Sequence, residues 1–296
     1  MGILEPLVWG LVAATLILSL SARRGAGAQG GGGAHVSARF LIPLVLLAAH
    51  WGLKHRLPHV PAREALDWTI WAALGAAFLP NLWGLNRRLR LASLTGIVLL
   101  VCTVILRPRM QYLPMGEASL LLVGSSVFWL AASFCVKPGS RFLLERLLIV
   151  TTGAAVCLSH SFAGASLIAG ALCFALGGAW LLSRPGWGRV PDPWILVPWL
   201  LAVGGLVVAG LAFGELAPLP AACLALSVCV SALGRRLGGG RTRRPGRDLL
   251  LVAVLVAAAN WLAWPAPSAG HGQGDYGYSV APDGPPPPVS VLEEPS

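Results

Sequence analysis

Histidines and acidic side chains in or next to the predicted loops are the residues best suited to chemistry. His50, His55 and His59 lie within one stretch of ten residues, and His160 follows Ser159 in a predicted turn. Imidazole and carboxylate groups bind Zn²⁺ and act as general acids and bases. The acids of the same set of loops are Glu64, Asp67, Glu117 and Glu215. This grouping raises two hypotheses, a metal site and a hydrolase or transferase site.

The metal hypothesis is disfavoured by the residues around the histidines. Pro58 interrupts any helix that could align His55 with His59, and Lys54 and Arg56 repel a cation. No H-E-x-x-H spacing occurs, nor does a phosphate-cradling loop ending in Lys-Ser/Thr. We therefore predict neither a metal nor a cofactor.

Catalysis by Ser159, His160 and Ser161 is also disfavoured. These residues are consecutive, and neighbours in sequence seldom face one another as nucleophile and base. No acid that could orient the imidazole is identifiable from the sequence. We interpret the segment as a polar turn between two helices and predict that the protein is not an enzyme.

The elements that position these residues are apolar segments of membrane-spanning length. Hydrophobic residues make up 56% of the 296 residues and charged residues 11%, far from soluble usage. The fold class is therefore predicted to be all-α, a polytopic transmembrane helix bundle of about ten spans over residues 1–264. The predicted spans are Ile3–Ala22, Val36–Leu53, Trp68–Leu85, Leu91–Leu106, Ala118–Val136, Phe142–Ser159, Phe162–Leu182, Pro193–Phe213, Leu216–Leu233 and Leu249–Trp264.

The second span is the weakest of the ten. Its fully apolar part, Phe40–Leu53, has 14 residues and contains Pro43, which is short for a crossing. A re-entrant segment is the alternative, and it would reduce the count to nine spans and move the amino terminus to the cytoplasm.

Basic residues predict how the spans are threaded. Of the 22 Lys and Arg residues, 17 fall in one set of alternate loops and 5 in the other. Because cytoplasmic loops carry the excess of Lys and Arg, the first set is predicted to be cytoplasmic and both termini extracytoplasmic. A nine-span chain would reduce this split to 14 against 8, so charge favours ten spans. We expect the bacterial cytoplasmic (inner) membrane as the location.

Two further segments flank the last span. The loop before it carries a basic cluster, which we expect to bind anionic lipid headgroups and not nucleic acid. Its members are Arg235, Arg236, Arg241, Arg243, Arg244 and Arg247. After Trp264, residues 265–296 are rich in Pro and Gly and contain Pro285–Pro288, which predicts a disordered extracytoplasmic tail.

Small and amide side chains are the remaining candidates inside the spans. Asn81 and Asn260 are predicted to form hydrogen bonds between helices, or else to line a pocket. Small residues recur at four-residue spacing on two spans and predict close helix packing. These packing faces comprise Ala165, Ala169, Cys173 and Gly177 on one span and Gly205 and Ala209 on the next.

Three functions follow from these observations, in order of preference. With no charged residue near the centre of a predicted span, a scaffold or accessory subunit that contacts membrane-protein partners comes first. A carrier for a small neutral or lipophilic solute comes second, and a membrane-embedded transferase or hydrolase third. In length and helix count the chain is similar to ten-helix drug/metabolite-type transporters, although no motif is shared and those carriers keep both termini cytoplasmic.

Overall fold

The computed structural model describes most of the predicted membrane domain. The described residues are 40–79, 86–135, 143–182, 192–214, 216–237 and 245–264, with Glu5, Val8 and Val12. The predicted first span and the tail after Trp264 therefore lie almost wholly outside them. Within the described ranges the regular structure is entirely α-helical. The helices are α1 (Leu41–Lys54), α2 (Ala65–Phe78), α3 (Arg87–Met110), α4 (Met115–Cys135), α5 (Leu143–Ser159), α6 (Ala163–Leu182), α7 (Asp192–Phe213), α8 (Pro218–Leu237) and α9 (Pro245–Ala263).

Each of these helices overlaps one of the last nine predicted spans, and α2 departs most from its prediction. It begins at Ala65, three residues before the predicted start at Trp68, and ends at Phe78. Leu79 is extended, with φ −65° and ψ 145°, because the residue before a proline avoids the helical region and Pro80 follows. The helix therefore ends at Phe78, and the predicted end of this span at Leu85 lies outside the described residues.

Three of the described helices are long and apolar enough to cross a membrane by length and composition. They contain the segments Arg88–Met110, Ala163–Leu181 and Ile195–Phe213. Helices α1 and α2 are apolar but have 14 residues each, about 21 Å at 1.5 Å per residue. That length is shorter than the hydrocarbon core of roughly 30 Å.

Helix α7 is the centre of the bundle. It contacts α1 to α6 and also α8, and 94% of its apolar segment Ile195–Phe213 is buried. A helix that is apolar on every side needs such an all-round environment. The other helices therefore pack around α7, and the main hydrophobic core forms between them and it.

The described connections between consecutive helices lie at one end of the bundle. At this end, which we call the His50 end, Gly164 at the start of α6 packs against Leu53 and Leu66 of α1 and α2. Gly214, after α7, packs against the turn that joins α5 to α6. The end of α3 reaches the same place, because the Arg109 guanidinium donates a hydrogen bond to the Ala212 carbonyl.

The opposite end of the bundle, the Arg146 end, carries its own polar contacts. Arg146 of α5 forms an ion pair of 3.3 Å with Asp248 of α9. The Trp180 indole, near the end of α6, donates a hydrogen bond of 3.0 Å to Glu145. Successive helices therefore run in opposite directions, as expected of a chain threaded back and forth.

Candidate functional site

A cavity of about 440 Å³ lies between α3, α4, α7 and α8. Pockets that bind small molecules have volumes of roughly 300–1,000 Å³ and mostly apolar walls with a few polar groups. This cavity has both properties. It is lined by Arg109, Leu113, Glu117, Leu121, Gly124, Ser125, Val207, Val208, Leu211, Pro218, Ala221 and Ala222.

The cavity is open because several of its lining residues are short. A Cβ atom placed on Gly124 would meet nothing within 4 Å. Ala221 and Ala222, on the first turns of α8, project one methyl group each where larger side chains would occupy the space. Val207, Val208 and Leu211 of α7 supply an apolar wall opposite α4.

Two charged side chains of opposite sign lie at the His50 end of this cavity. Arg109 is in the last turn of α3 and Glu117 in the first turn of α4, so the short connection 111–114 holds both at the same end. Arg109 caps the carboxyl end of α7 through the Ala212 carbonyl, which keeps its guanidinium beside the cavity. Ser125, two turns further along α4, adds a buried hydroxyl.

The structure places the predicted polar candidates in separate environments. Glu117 lines the cavity, whereas the His160 ring packs against Trp264 at a centroid distance of 5.0 Å. Asn260 accepts a hydrogen bond of 3.2 Å from the Cys157 thiol and donates one to the Val256 carbonyl. Asn81 and Glu215 lie outside the described residues.

The predicted small-residue faces are packed in part, since a Cβ atom on Gly177 would meet nothing within 4 Å. Ala165, Ala169 and Ala209 are completely buried, and Cys173 and Gly177 are partly buried. At Gly205 a Cβ atom would lie 2.6 Å from the Thr69 hydroxyl oxygen, so α2 and α7 approach closely there.

The predicted basic cluster is described in part. Arg235 and Arg236 belong to the last turns of α8, and Arg247 lies exposed in the first turn of α9. Arg241, Arg243 and Arg244 lie outside the described residues. Binding of anionic lipid to this loop stays a prediction.

A buried polar pair was missed by the sequence analysis. His50, in the last turn of α1, and Asp67, in the first turn of α2, both have fully buried side chains, with Nε2 and Oδ1 3.2 Å apart. The expectation that Asp67 lies in an external loop is wrong, because α2 begins two residues before it. The sequence does contain a signal for this pair. Two apolar segments joined by a short loop carry a histidine near the end of the first and an acid near the start of the second.

The other charged groups of the α1–α2 connection are at the surface. Glu64 pairs with Lys54 and, at 2.9 Å, with Arg56. Arg56 also lies 3.3 Å from His59, whose carbonyl accepts a hydrogen bond from the Trp71 indole. Among the described residues, no three His, Cys, Asp or Glu side chains are grouped so that they could hold a metal ion.

Comparison with known proteins gives no relative. No protein-family model matches the chain, no curated protein is similar to it, and no solved structure matches it.

Proposed function

We propose that the protein is a multi-pass membrane protein that binds a small lipophilic solute with a polar end group in the cavity between α3, α4, α7 and α8. The observation that carries this proposal is a 440 Å³ cavity with apolar walls and a charged pair of residues at one end. An apolar body would lie along α7, and the polar end would meet Arg109 and Glu117.

This proposal develops the carrier hypothesis and places its site beside α7 rather than between the two small-residue faces. The ten-span count, the extracytoplasmic termini and the cytoplasmic membrane of a bacterium belong to the same proposal. In that topology the end of the cavity that holds Arg109 and Glu117 lies on the extracytoplasmic side. The accessory-subunit and enzyme hypotheses stay predictions.

The experiment is a thermal-stability titration of the purified protein in mild detergent. Two single-chain amphiphiles are tested, a long-chain fatty acid and the alcohol with the same hydrocarbon chain. Each is added to the wild type and to two variants. Gly124→Leu adds a side chain to the cavity lining, whereas Gly116→Leu adds the same side chain to a position of the same helix that does not line the cavity.

Ligand binding to the folded state raises the melting temperature. We expect stabilisation of the wild type and Gly116→Leu by at least one of the two amphiphiles, and loss of this stabilisation in Gly124→Leu. Equal stabilisation of all three proteins would place binding elsewhere, and no stabilisation by either amphiphile would contradict the proposal.

A further inference from the structure

The buried His50 and Asp67 side chains form a site that the proposed function does not use. Their burial at the junction of α1 and α2 removes both ionisable groups from solvent. A buried charge is costly unless it is paired and hydrogen-bonded. The protonation of this pair therefore matters to the stability of the hairpin.

The surroundings of the imidazole ring determine how many protons the pair needs. Nδ1 lies 3.1 Å from the backbone carbonyl oxygen of Arg56, and Nε2 lies 3.2 Å from Oδ1 of Asp67. A carbonyl oxygen accepts hydrogen bonds and cannot donate one. A neutral imidazole has a single N–H group and cannot donate to both oxygens. With an ionised Asp67, one ring nitrogen would then present its lone pair to an oxygen acceptor.

One added proton removes this conflict. The pair is then either an imidazolium with a carboxylate or a neutral imidazole with a carboxylic acid, and in both forms each ring nitrogen has a matching partner. Both forms also have zero net charge, whereas loss of the proton leaves a lone carboxylate in a buried site. Nε2 and Oδ1 are 3.2 Å apart without the alignment of a hydrogen bond, and both atoms are buried with no hydrogen-bond partner, so one of the two side chains must reorient to form the bond.

Few other ionisable groups act on the pair. Helices α2, α6 and α7 pack against α1, and each of them contains a single ionisable residue. These residues are Asp67 in α2, Cys173 in α6 and Asp192 at the distant end of α7. Nearer the surface, Lys54 and Arg56 are paired with Glu64, with His59 beside Arg56. Oδ2 of Asp67 accepts a bond of 3.3 Å from the Arg63 amide. Among the described residues, no lysine or arginine side chain forms an ion pair with the Asp67 carboxylate.

We propose that His50 and Asp67 together form a buried proton-binding site, which holds one proton and thereby locks α1 to α2. The proton binds reversibly to the pair as a unit, with no other bond made or broken. Because the folded state binds this proton and an unfolded chain above the histidine titration range does not, stability must fall as pH rises. The site would make the α1–α2 hairpin loosen at alkaline pH.

The first test is the pH dependence of thermal unfolding in detergent. In the wild type we expect the melting temperature to fall with rising pH, as the unfolding constant increases by up to about tenfold per pH unit. In Asp67→Asn the amide can donate to Nε2 without an added proton, so we expect this fall to be much reduced. Glu64→Gln is the control for a surface acid and should behave as the wild type. An equal fall in all three proteins would contradict the proposal.

A second test reads the proton directly and does not depend on the stability of a variant at the pair. Nitrogen-15 NMR of histidine ring nitrogens is recorded at neutral pH on a chain that retains His50 and has the other five histidines replaced by Gln, with the wild type as the control for folding. We expect Nδ1 to be protonated, with a second proton on Nε2 or shared with Asp67. A neutral imidazole with a single N–H group and no proton shared with Asp67, in either tautomer, would overturn the proposal.

Discussion

At the scale of single residues, one buried polar contact joins α5 and α7 across the core. The Trp199 indole of α7 donates a hydrogen bond of 2.8 Å to the Thr151 hydroxyl of α5, and both side chains are buried. Thr151 in turn donates to the Leu147 carbonyl. An indole placed in the core needs such a partner, since an unsatisfied buried donor costs about 1–3 kcal/mol.

Replacing Trp199 with Phe tests this contact. The variant leaves a small void and removes the indole donor, so we expect a loss of about 1–3 kcal/mol in the free energy of unfolding. Trp261→Phe is the matched control, because Trp261 is 82% exposed and should change stability little. Denaturation of both variants in detergent measures the difference, and equal stabilities would contradict an energetic role for the bond.

The sequence could predict such polar candidates but not their partners. His50 and Asp67 are 17 positions apart and were assigned to different parts of the protein, one to a span and one to a loop. Hydropathy began the third span at Trp68, whereas the hydrogen-bonded helix begins at Ala65 and carries Asp67 into the buried interface. The pairing depends on how two helices are placed against each other, which composition alone does not determine.

At the scale of elements, the close approach of α2 and α7 depends on Gly205. The Thr69 side chain occupies the space that a Cβ atom would need, while its hydroxyl donates to the Ala65 carbonyl. Small residues at helix interfaces in membranes allow this kind of backbone approach. The spacing of small residues predicted such a face on α7, but it did not indicate that Thr69 of α2 fills the space beside Gly205.

Gly205→Ala should destabilise the protein by about 1–3 kcal/mol through overpacking against Thr69. Gly75→Ala, on α2, is the control, because a Cβ atom there meets nothing within 4 Å. The double variant Gly205→Ala with Thr69→Ala should recover part of the loss, since the Thr69 hydroxyl and methyl are then gone. Thermal unfolding compares the four proteins, and no recovery in the double variant would refute the assigned clash.

Helix positions were the most predictable feature at this scale, and helix ends the least. Apolar segments determine where a helix forms in a membrane-like environment, so all nine described helices overlap predicted spans. Ends depend on local chemistry that hydropathy ignores, such as Pro80 after α2 or the left-handed conformation of His55 after α1.

At the scale of the whole molecule, hydropathy does not distinguish the central helix from a peripheral one. The most apolar stretches within Arg88–Met110 and Ile195–Phe213 are equally apolar, yet 29% of the first and 94% of the second are buried. Lipid tails are as apolar as leucine side chains, so a helix facing lipid and a helix facing protein have similar compositions. The cavity beside α7 was therefore beyond prediction from sequence.

The central claim is that the helices cross a bilayer alternately, with the His50 end outside the cytoplasm. Two single cysteines test it in sealed cells with a membrane-impermeant thiol reagent. Tyr112 is strongly exposed in the α3–α4 connection at the His50 end, and Gly239 lies within the predicted cytoplasmic basic loop. The unmodified chain measures the background from its native cysteines.

We predict labelling of Tyr112→Cys in intact cells and labelling of Gly239→Cys after permeabilisation alone. Labelling of Gly239→Cys in sealed cells with protection of Tyr112→Cys would reverse the orientation. Labelling of both positions in sealed cells would contradict the alternating topology on which the account depends.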